Sequence, residues 1–222
     1  MNLLAFDLGA SGGKLFLAVI QDGEVSIRDV HRFDNISYSM GNGLYWDILN
    51  IYREMNRGIK KAIELTNDQI DAFAIDSFSN DFGLIDREGA LLSPVRCYRD
   101  VRTQRHADKI YNTISKERLY ALSGNQNALF NTFMQLAAMQ EDGHGFLLDH
   151  ADKLLFIPDL LLYYLTGKAI TEYTLASVSQ MYDFRKDDWC QEILDSYHIP
   201  RRLFGTLTRP GTLLGRTSES YN

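Results

Sequence analysis

Cysteine is scarce in this chain: Cys97 and Cys190 are the two in 222 residues. Two distant thiols give neither a disulfide framework nor a metal-ligand spacing, and they suit a reducing compartment. Long apolar runs are missing as well. None approaches the roughly 18 residues of a membrane span. The apolar start is interrupted at Asp7 and lacks a basic opening, so it does not read as a signal peptide, and the expected location is cytoplasmic. Basic charge is short: 23 Lys and Arg against 29 Asp and Glu leave a net charge of −6. That argues against nucleic acid as a partner, because a phosphate backbone calls for a basic face. A nucleotide needs only a local site. His-Glu-x-x-His, Cys-x-x-Cys and Gly-x-Ser-x-Gly patterns are absent, which leaves zinc and serine hydrolases without support. His31, His106, His144, His150 and His198 are scattered and read as surface residues. No repeat, low-complexity tract or flexible linker interrupts the chain.

What is present suffices for a core: 45% of residues are hydrophobic and 23% charged, ordinary globular usage for one large domain or two small ones. The most informative stretch is Leu3 to Lys14. An apolar strand ends at Asp7, a small-residue turn follows (Gly9, Ala10, Ser11, Gly12, Gly13), and a second apolar stretch begins. Glycines let a backbone approach a ligand, and successive N–H groups can cradle an anion. The stretch therefore fits a phosphate-gripping hairpin with a metal-facing carboxylate. It fits a plain glycine-rich β-hairpin equally well on the motif alone.

Leu15 to Ile20 reads as the second strand, Asp22-Gly23 as a hairpin turn, and Glu24 to Phe33 as the third strand. The glycine turn thus leads into a strand, whereas Rossmann and Walker loops lead into a helix. Asp34 to Gly43 reads as a polar loop. Apolar residues at helical spacing from Ile48 to Leu65, with Asp47 as N-cap, predict a helix. Ile70 to Ile75 reads as a fourth strand ending at Asp76, parallel to the first. In such sheets ligands sit beyond the strands' carboxyl ends, which puts Ser77 to Asp81 beside the phosphate turn. A capped polar turn is the plainer account of the same residues.

Further on, Gly83 to Leu92 reads as strand–turn–strand. Helices are expected over 101–112, 115–122, 131–141 and 157–166, with Ser115 and Pro158 at helix starts and Gly167 at a helix end. Thr171 to Phe184 reads as strand pieces, Trp189 to Tyr197 as a short helix, Thr208 to Gly211 as a turn, and Leu213 to Gly215 as the start of another strand. Arg99, Asp100, Arg102 and Arg105 form either a polyol-holding group or an ion-paired loop entering a helix. An acid at a strand end, a glycine turn with a hydroxyl, and a polar cluster beyond a parallel strand together suit phosphoryl transfer.

The hairpin Asp7-Leu8-Gly9-Ala10-Ser11-Gly12-Gly13-Lys14 resembles the first phosphate loop of the actin/hexokinase-like (ribonuclease H-like) ATPase fold. Other motifs narrow the likeness to the FGGY carbohydrate kinases, most like their rhamnulokinase branch. They include Phe33-Asp34-Asn35, Tyr45-Trp46-Asp47, Ile75-Asp76-Ser77-Phe78 before Asp81-Phe82-Gly83-Leu84, and Cys97-Tyr98-Arg99-Asp100-Val101-Arg102-Thr103. Phe130-Asn131-Thr132 with Gln135-Leu136, Ile157-Pro158-Asp159 with Leu165-Thr166-Gly167, and Pro210-Gly211-Thr212 continue the series in family order.

The resemblance implies an α/β fold with a mixed five-stranded sheet, its first three strands antiparallel, and helices around it. It implies ATP-dependent phosphorylation of a sugar, L-rhamnulose to its 1-phosphate, with Mg²⁺. Ala10, Ser11, Gly12, Gly13 and Lys14 would face ATP phosphates and Asp7 the Mg²⁺. Phe78, Ser79, Arg99 and Asn131 would contact the sugar. The branch usually reads Ala-Ser-Ser-Gly-Arg where this chain has Gly12 and Lys14, and Gly-Val-Asp where it has Ser79-Asn80-Asp81. The Ser79 hydroxymethyl narrows the pocket and adds a donor, which opens xylulose, fuculose or gluconate as other substrates.

Family members are about twice as long. Residues 1–222 are therefore expected to form the N-terminal, sugar-binding domain. The general-base Asp and the adenosine-binding domain are expected in chain beyond Asn222, because no residue here matches that base. By itself such a piece would bind sugar weakly and not turn over ATP. A non-catalytic sugar-binding module is the competing reading. An apolar face meant for a further domain would favour a homodimer.

Overall fold

A computed structural model describes residues 1–217 of the chain. The expected domain boundary at 222 thus lies outside the described residues. The chain divides into two compact units, one of residues 1–38 and 46–78, the other of residues 39–45 and 79 onward.

The first unit opens with β1 (Asn2–Leu8), β2 (Gly12–Gln21) and β3 (Glu24–Asp34). They form the expected antiparallel meander, with Asp22 and Gly23 both at positive φ in the turn between β2 and β3. The segment expected as a loop instead carries a hairpin of β4 (Ser37–Met40) and β5 (Gly43–Trp46), turning at Gly41 with φ 60°. Helix α1 (Ile48–Thr66) starts where the Asp47 carboxylate accepts the Asn50 N–H at 2.9 Å and ends at left-handed Asn67. Ile48, Ile51, Met55 and Ala62 form its buried stripe. Each fully buried Ile or Met there contributes about 1.5–3 kcal/mol. Gly58 lets α1 come down on Leu15 and His31, since a Cβ would stand 2.9 Å from the Leu15 side chain. Strand β6 (Ala72–Ser77) then joins β1 in parallel.

The sheet order is β3-β2-β1-β6. It has four strands among the described residues, not the expected five. The next strand in sequence finds its partner elsewhere. On β1 the alternation is complete: Leu4, Phe6 and Leu8 are buried while Ala5 and Asp7 are exposed.

The second unit contains β7 (Phe82–Ile85), α2 (Arg102–Thr113), α3 (Lys116–Ser123), α4 (Thr132–Glu141), α5 (Phe146–His150), β8 (Lys153–Phe156) and α6 (Ile157–Thr166). After them come β9 (Ile170–Glu172), α7 (Tyr173–Val178), β10 (Tyr182–Asp183), β11 (Asp188–Trp189), α8 (Gln191–Ser196) and β12 (Thr206–Thr208). Strand β7 pairs antiparallel with β8, Phe82 opposite Phe156. The expected local hairpin shrinks to one bridge, Ile85 to Leu91, because β8 offers the longer ladder. Helix α4 is the centre of this unit. Phe133, Met134, Leu136, Ala137 and Ala138 are fully buried, and α2 packs against it.

One further expectation holds in part and another fails. Thr171 to Phe184 does carry strand pieces, the end of β9 and β10, but between them the Glu172 carboxylate accepts the Leu175 N–H at 3.0 Å and nucleates α7, overriding the β-branched composition. Leu213 to Gly215 forms no strand. The chain leaves the Arg209–Thr212 turn with no ladder among the described residues, and Leu213 is 87% exposed.

Candidate functional site

The glycine turn lies at the carboxyl end of β1. Gly9 N–H donates to the Gly12 carbonyl at 2.9 Å and closes it. Asn35, buried at the exit of β3, holds it from outside: its N–H donates to the Ser11 carbonyl at 3.1 Å and its Nδ2 to the Gly9 carbonyl at 3.0 Å. The glycines answer a close approach. A Cβ on Gly12 would stand 2.9 Å from the Phe33 carbonyl oxygen, and one on Gly13 would overlap the Phe33 ring. That ring is itself stacked on Phe6, centroids 6.1 Å apart.

Asp7 is exposed beside this turn. Its register partners are Lys14 on β2 and Asp76 on β6, so two carboxylates and an ammonium leave the sheet on one face. Among the described residues no group of three or more His, Cys, Asp or Glu is placed to hold a metal ion. Mg²⁺ does not require one: it keeps several waters and is held by one or two carboxylates plus phosphates. The Asp7–Asp76 pair fits that mode.

Of the residues expected at the sugar, Phe78 belongs to the first unit. There its ring lies 4.8 Å from Trp46 and its N–H donates to the Leu8 carbonyl at 3.3 Å. Ser79, Arg99 and Asn131 belong to the second unit. Ser79 Oγ accepts from Asn80 Nδ2 at 2.9 Å. Asn80 is buried, holds φ at 77°, and leaves its Oδ1 buried without a partner among the described residues. Left-handed backbone at a non-glycine residue is costly and gathers at binding sites. Asp81 is fully buried, and its carboxylate accepts the Tyr98 N–H at 3.0 Å and Gln135 Nε2 at 2.9 Å. Arg99 is exposed and lies over the Tyr98 ring, and Tyr98 meets Phe130 edge-on at 6.2 Å. Asn131, buried before α4, turns into its own loop, donating from Nδ2 to the Gln126 carbonyl at 2.8 Å.

Asp100 proves to be a loop lock. It accepts the Leu44 N–H at 2.7 Å, the Arg102 N–H at 2.8 Å and the Arg96 guanidinium at 2.8 Å. Burial works against its charge, yet these donors hold the carboxyl below the usual carboxylate range. Arg102 is buried too. Burial, helped by Arg96, pushes its guanidinium down to about 10, which still leaves it charged at neutral pH. The sequence assigned no role to Asn35 or Gln135, and it set Asp81 only within the polar cluster expected beside the phosphate turn. Each stands inside a quoted motif, a buried polar residue whose partners lie far away in the chain.

The chain matches the FGGY family of carbohydrate kinases, N-terminal domain, over residues 2–222, and it belongs to that family. Among its curated relatives are rhamnulokinases. That of Oceanobacillus iheyensis is 35% identical over 212 residues, 96% of this chain and 45% of the relative. That of Bacillus subtilis is 35% identical over 222 residues, 100% of this chain and 44% of the relative. The chain thus spans a little under half the length of these relatives. Solved structures with the same fold include a ligand-bound xylulose kinase from Lactobacillus acidophilus, with TM-score 0.86 and 18% identity over 99% of this chain and 44% of that one. A Plasmodium falciparum glycerol kinase with ADP has TM-score 0.79 and 14% identity over 99% of this chain and 45% of that one. The fold class expected from the sequence is therefore borne out. No helix among the described residues is long and apolar enough to cross a membrane.

Proposed function

We propose that this chain is the sugar-binding part, with the first phosphate loop, of an ATP-dependent kinase that converts L-rhamnulose to L-rhamnulose 1-phosphate. The observation that carries this reading is the glycine turn with Asp7 and Asp76 in register at its mouth, in a chain whose curated relatives are rhamnulokinases. Ala10 to Lys14 would meet ATP phosphates through backbone N–H groups and the Lys14 ammonium. Asp7, with Asp76 beside it, would hold Mg²⁺ through water; the ion neutralises charge on the phosphates when bound. Ser79 would hydrogen-bond sugar hydroxyls, and Arg99 would add charged donors. Asn131 would contribute its side-chain oxygen, since its Nδ2 already donates to Gln126.

Ser79-Asn80, where the rhamnulokinase branch usually has Gly-Val, favours a second reading. The same site would then take another sugar, such as xylulose, fuculose or gluconate. A titration of the isotope-labelled chain with L-rhamnulose, D-xylulose, L-fuculose and D-gluconate, followed by amide NMR, separates the two. Saturable shifts at Ser79, Arg99 and Asn131 are expected with L-rhamnulose, and shifts at Ala10 to Lys14 with Mg-ATP. A response to gluconate with none to rhamnulose overturns the substrate assignment. Silence of the hairpin toward Mg-ATP overturns its phosphate role.

A further inference from the structure

We propose that Gln135 is the positioning residue of the sugar loop, setting Ser79 and Asn80 for the ligand while touching none of it. This rests on the sugar-binding reading above. Gln135 is 2% exposed on α4. Its Nε2 faces three acceptors: Asp81 Oδ1 at 2.9 Å, the Phe130 carbonyl at 3.0 Å and the Asn80 carbonyl at 3.2 Å. Its Oε1 accepts from the Arg102 guanidinium at 3.2 Å. Arginine can only donate, and the other three groups accept, so the amide has one workable orientation. Flipped, it would set oxygen against three acceptors and nitrogen against a cation.

One amide therefore ties together the Asn80–Asp81 loop, the Phe130 turn and the start of α2. The tie holds Asn80 at φ 77°, a region that asparagine enters more readily than most residues but that still leaves the loop a choice of backbone states. Its carbonyl is held twice, by Gln135 Nε2 and by Thr132 Oγ1 at 2.9 Å. With the backbone fixed, the Asn80 side chain keeps its amide on Ser79 Oγ and its buried Oδ1 without a partner among the described residues. That oxygen is an unsatisfied acceptor on the loop that carries Ser79.

The test uses the whole 222-residue chain with L-rhamnulose as probe. Gln135→Met keeps the volume and removes every hydrogen bond; sugar affinity is expected to fall about tenfold or more. Gln135→Glu keeps the shape but sets a carboxylate against three acceptors. The charged groups around it are Asp81 and Arg102; Arg96, Asp100 and Asp142 act in turn on Arg102, and His106 of α2 pairs with Asp142 at the far end of α4. Protonation restores a donor, so affinity of this variant is expected to recover several-fold between about pH 8 and pH 5, beyond any change in the wild type. In the wild-type chain the Gln135 side-chain amide resonances should move on sugar addition, a readout that needs no variant. Wild-type binding with unaltered affinity in both variants, or resonances that stay still at saturation, overturns this inference alone. A wild-type chain with no saturable response removes the sugar reading and this inference with it.

Discussion

Asp7 and Asp76 are register partners across the parallel strands β1 and β6, and both side chains are exposed on the same face. Like charges directly opposite one another in a sheet are destabilising. Lys14, the partner of Asp7 on β2, offsets only one of them. Asp76→Asn is therefore expected to stabilise the chain by a few tenths of a kcal/mol in urea titrations at low salt without divalent cations. Added Mg²⁺ should stabilise the wild type more than this variant. An equal Mg²⁺ response in both would remove the carboxylate pair as the cation's seat.

The turn that follows Asp7 tolerates little. Gly12→Ala sets a methyl 2.9 Å from the Phe33 carbonyl, and backbone on both sides must shift. Gly13→Ala drives a methyl into the Phe33 ring, which Phe6 blocks from behind. Overpacking of this kind costs about 1–3 kcal/mol. Both variants should show that loss in urea titration, and Gly12→Ala should also weaken Mg-ATP shifts at Ser11 and Lys14. Wild-type stability in Gly12→Ala would mean that the turn has slack which the close approach to Phe33 denies.

How far the sequence could be read follows from where each signal sits. The meander was legible because its cues are local: alternation on β1 and an Asp-Gly turn between β2 and β3. Helix α1 announced itself by spacing and by Asp47. Strand β8 was not legible, since its partner β7 lies about 70 residues earlier and four apolar residues fit a helix as well. Helix α7 was hidden behind Thr, Tyr and Val, and only the Glu172 cap gives it away. The hairpin's small residues marked one candidate site. The contacts that organise the other, Gln135 to Asn80 and Asp81, span 55 and 54 positions, and no local pattern encodes them.

Cys97 adjoins Tyr98 and Arg99 but is 1% exposed, and burial pushes its thiol up to about 11. A thiol reacts as the thiolate, so this one is chemically quiet in the folded chain. A maleimide or disulfide reagent at about pH 8 should leave Cys97 unlabelled until denaturant is added, as read by peptide mass mapping. Labelling in native buffer at the rate of an exposed thiol would show that the Cys97–Asp100 turn opens.

Asp159 gives the chain a stability that falls as pH rises. It lies in the first turn of α6, 1% exposed; its Oδ2 accepts the Glu172 N–H at 3.1 Å, and its Oδ1 has no partner among the described residues. Burial, with the Glu172 charge adding to it, pushes the carboxyl up to about 7. An unfolded Asp titrates near 3.9. Between these values the folded state holds the extra proton, so stability declines as pH climbs from about 4 to about 7 and levels off above. Three units correspond to a loss on the order of 4 kcal/mol. Asp159→Asn keeps an acceptor for Glu172 and removes the charge. It should match the wild type within about 1 kcal/mol near pH 4 and exceed it by roughly 2–4 kcal/mol at pH 8. Urea titrations of both chains across that range measure the difference directly, and a gap that does not change with pH would show that Asp159 stays ionised in the fold.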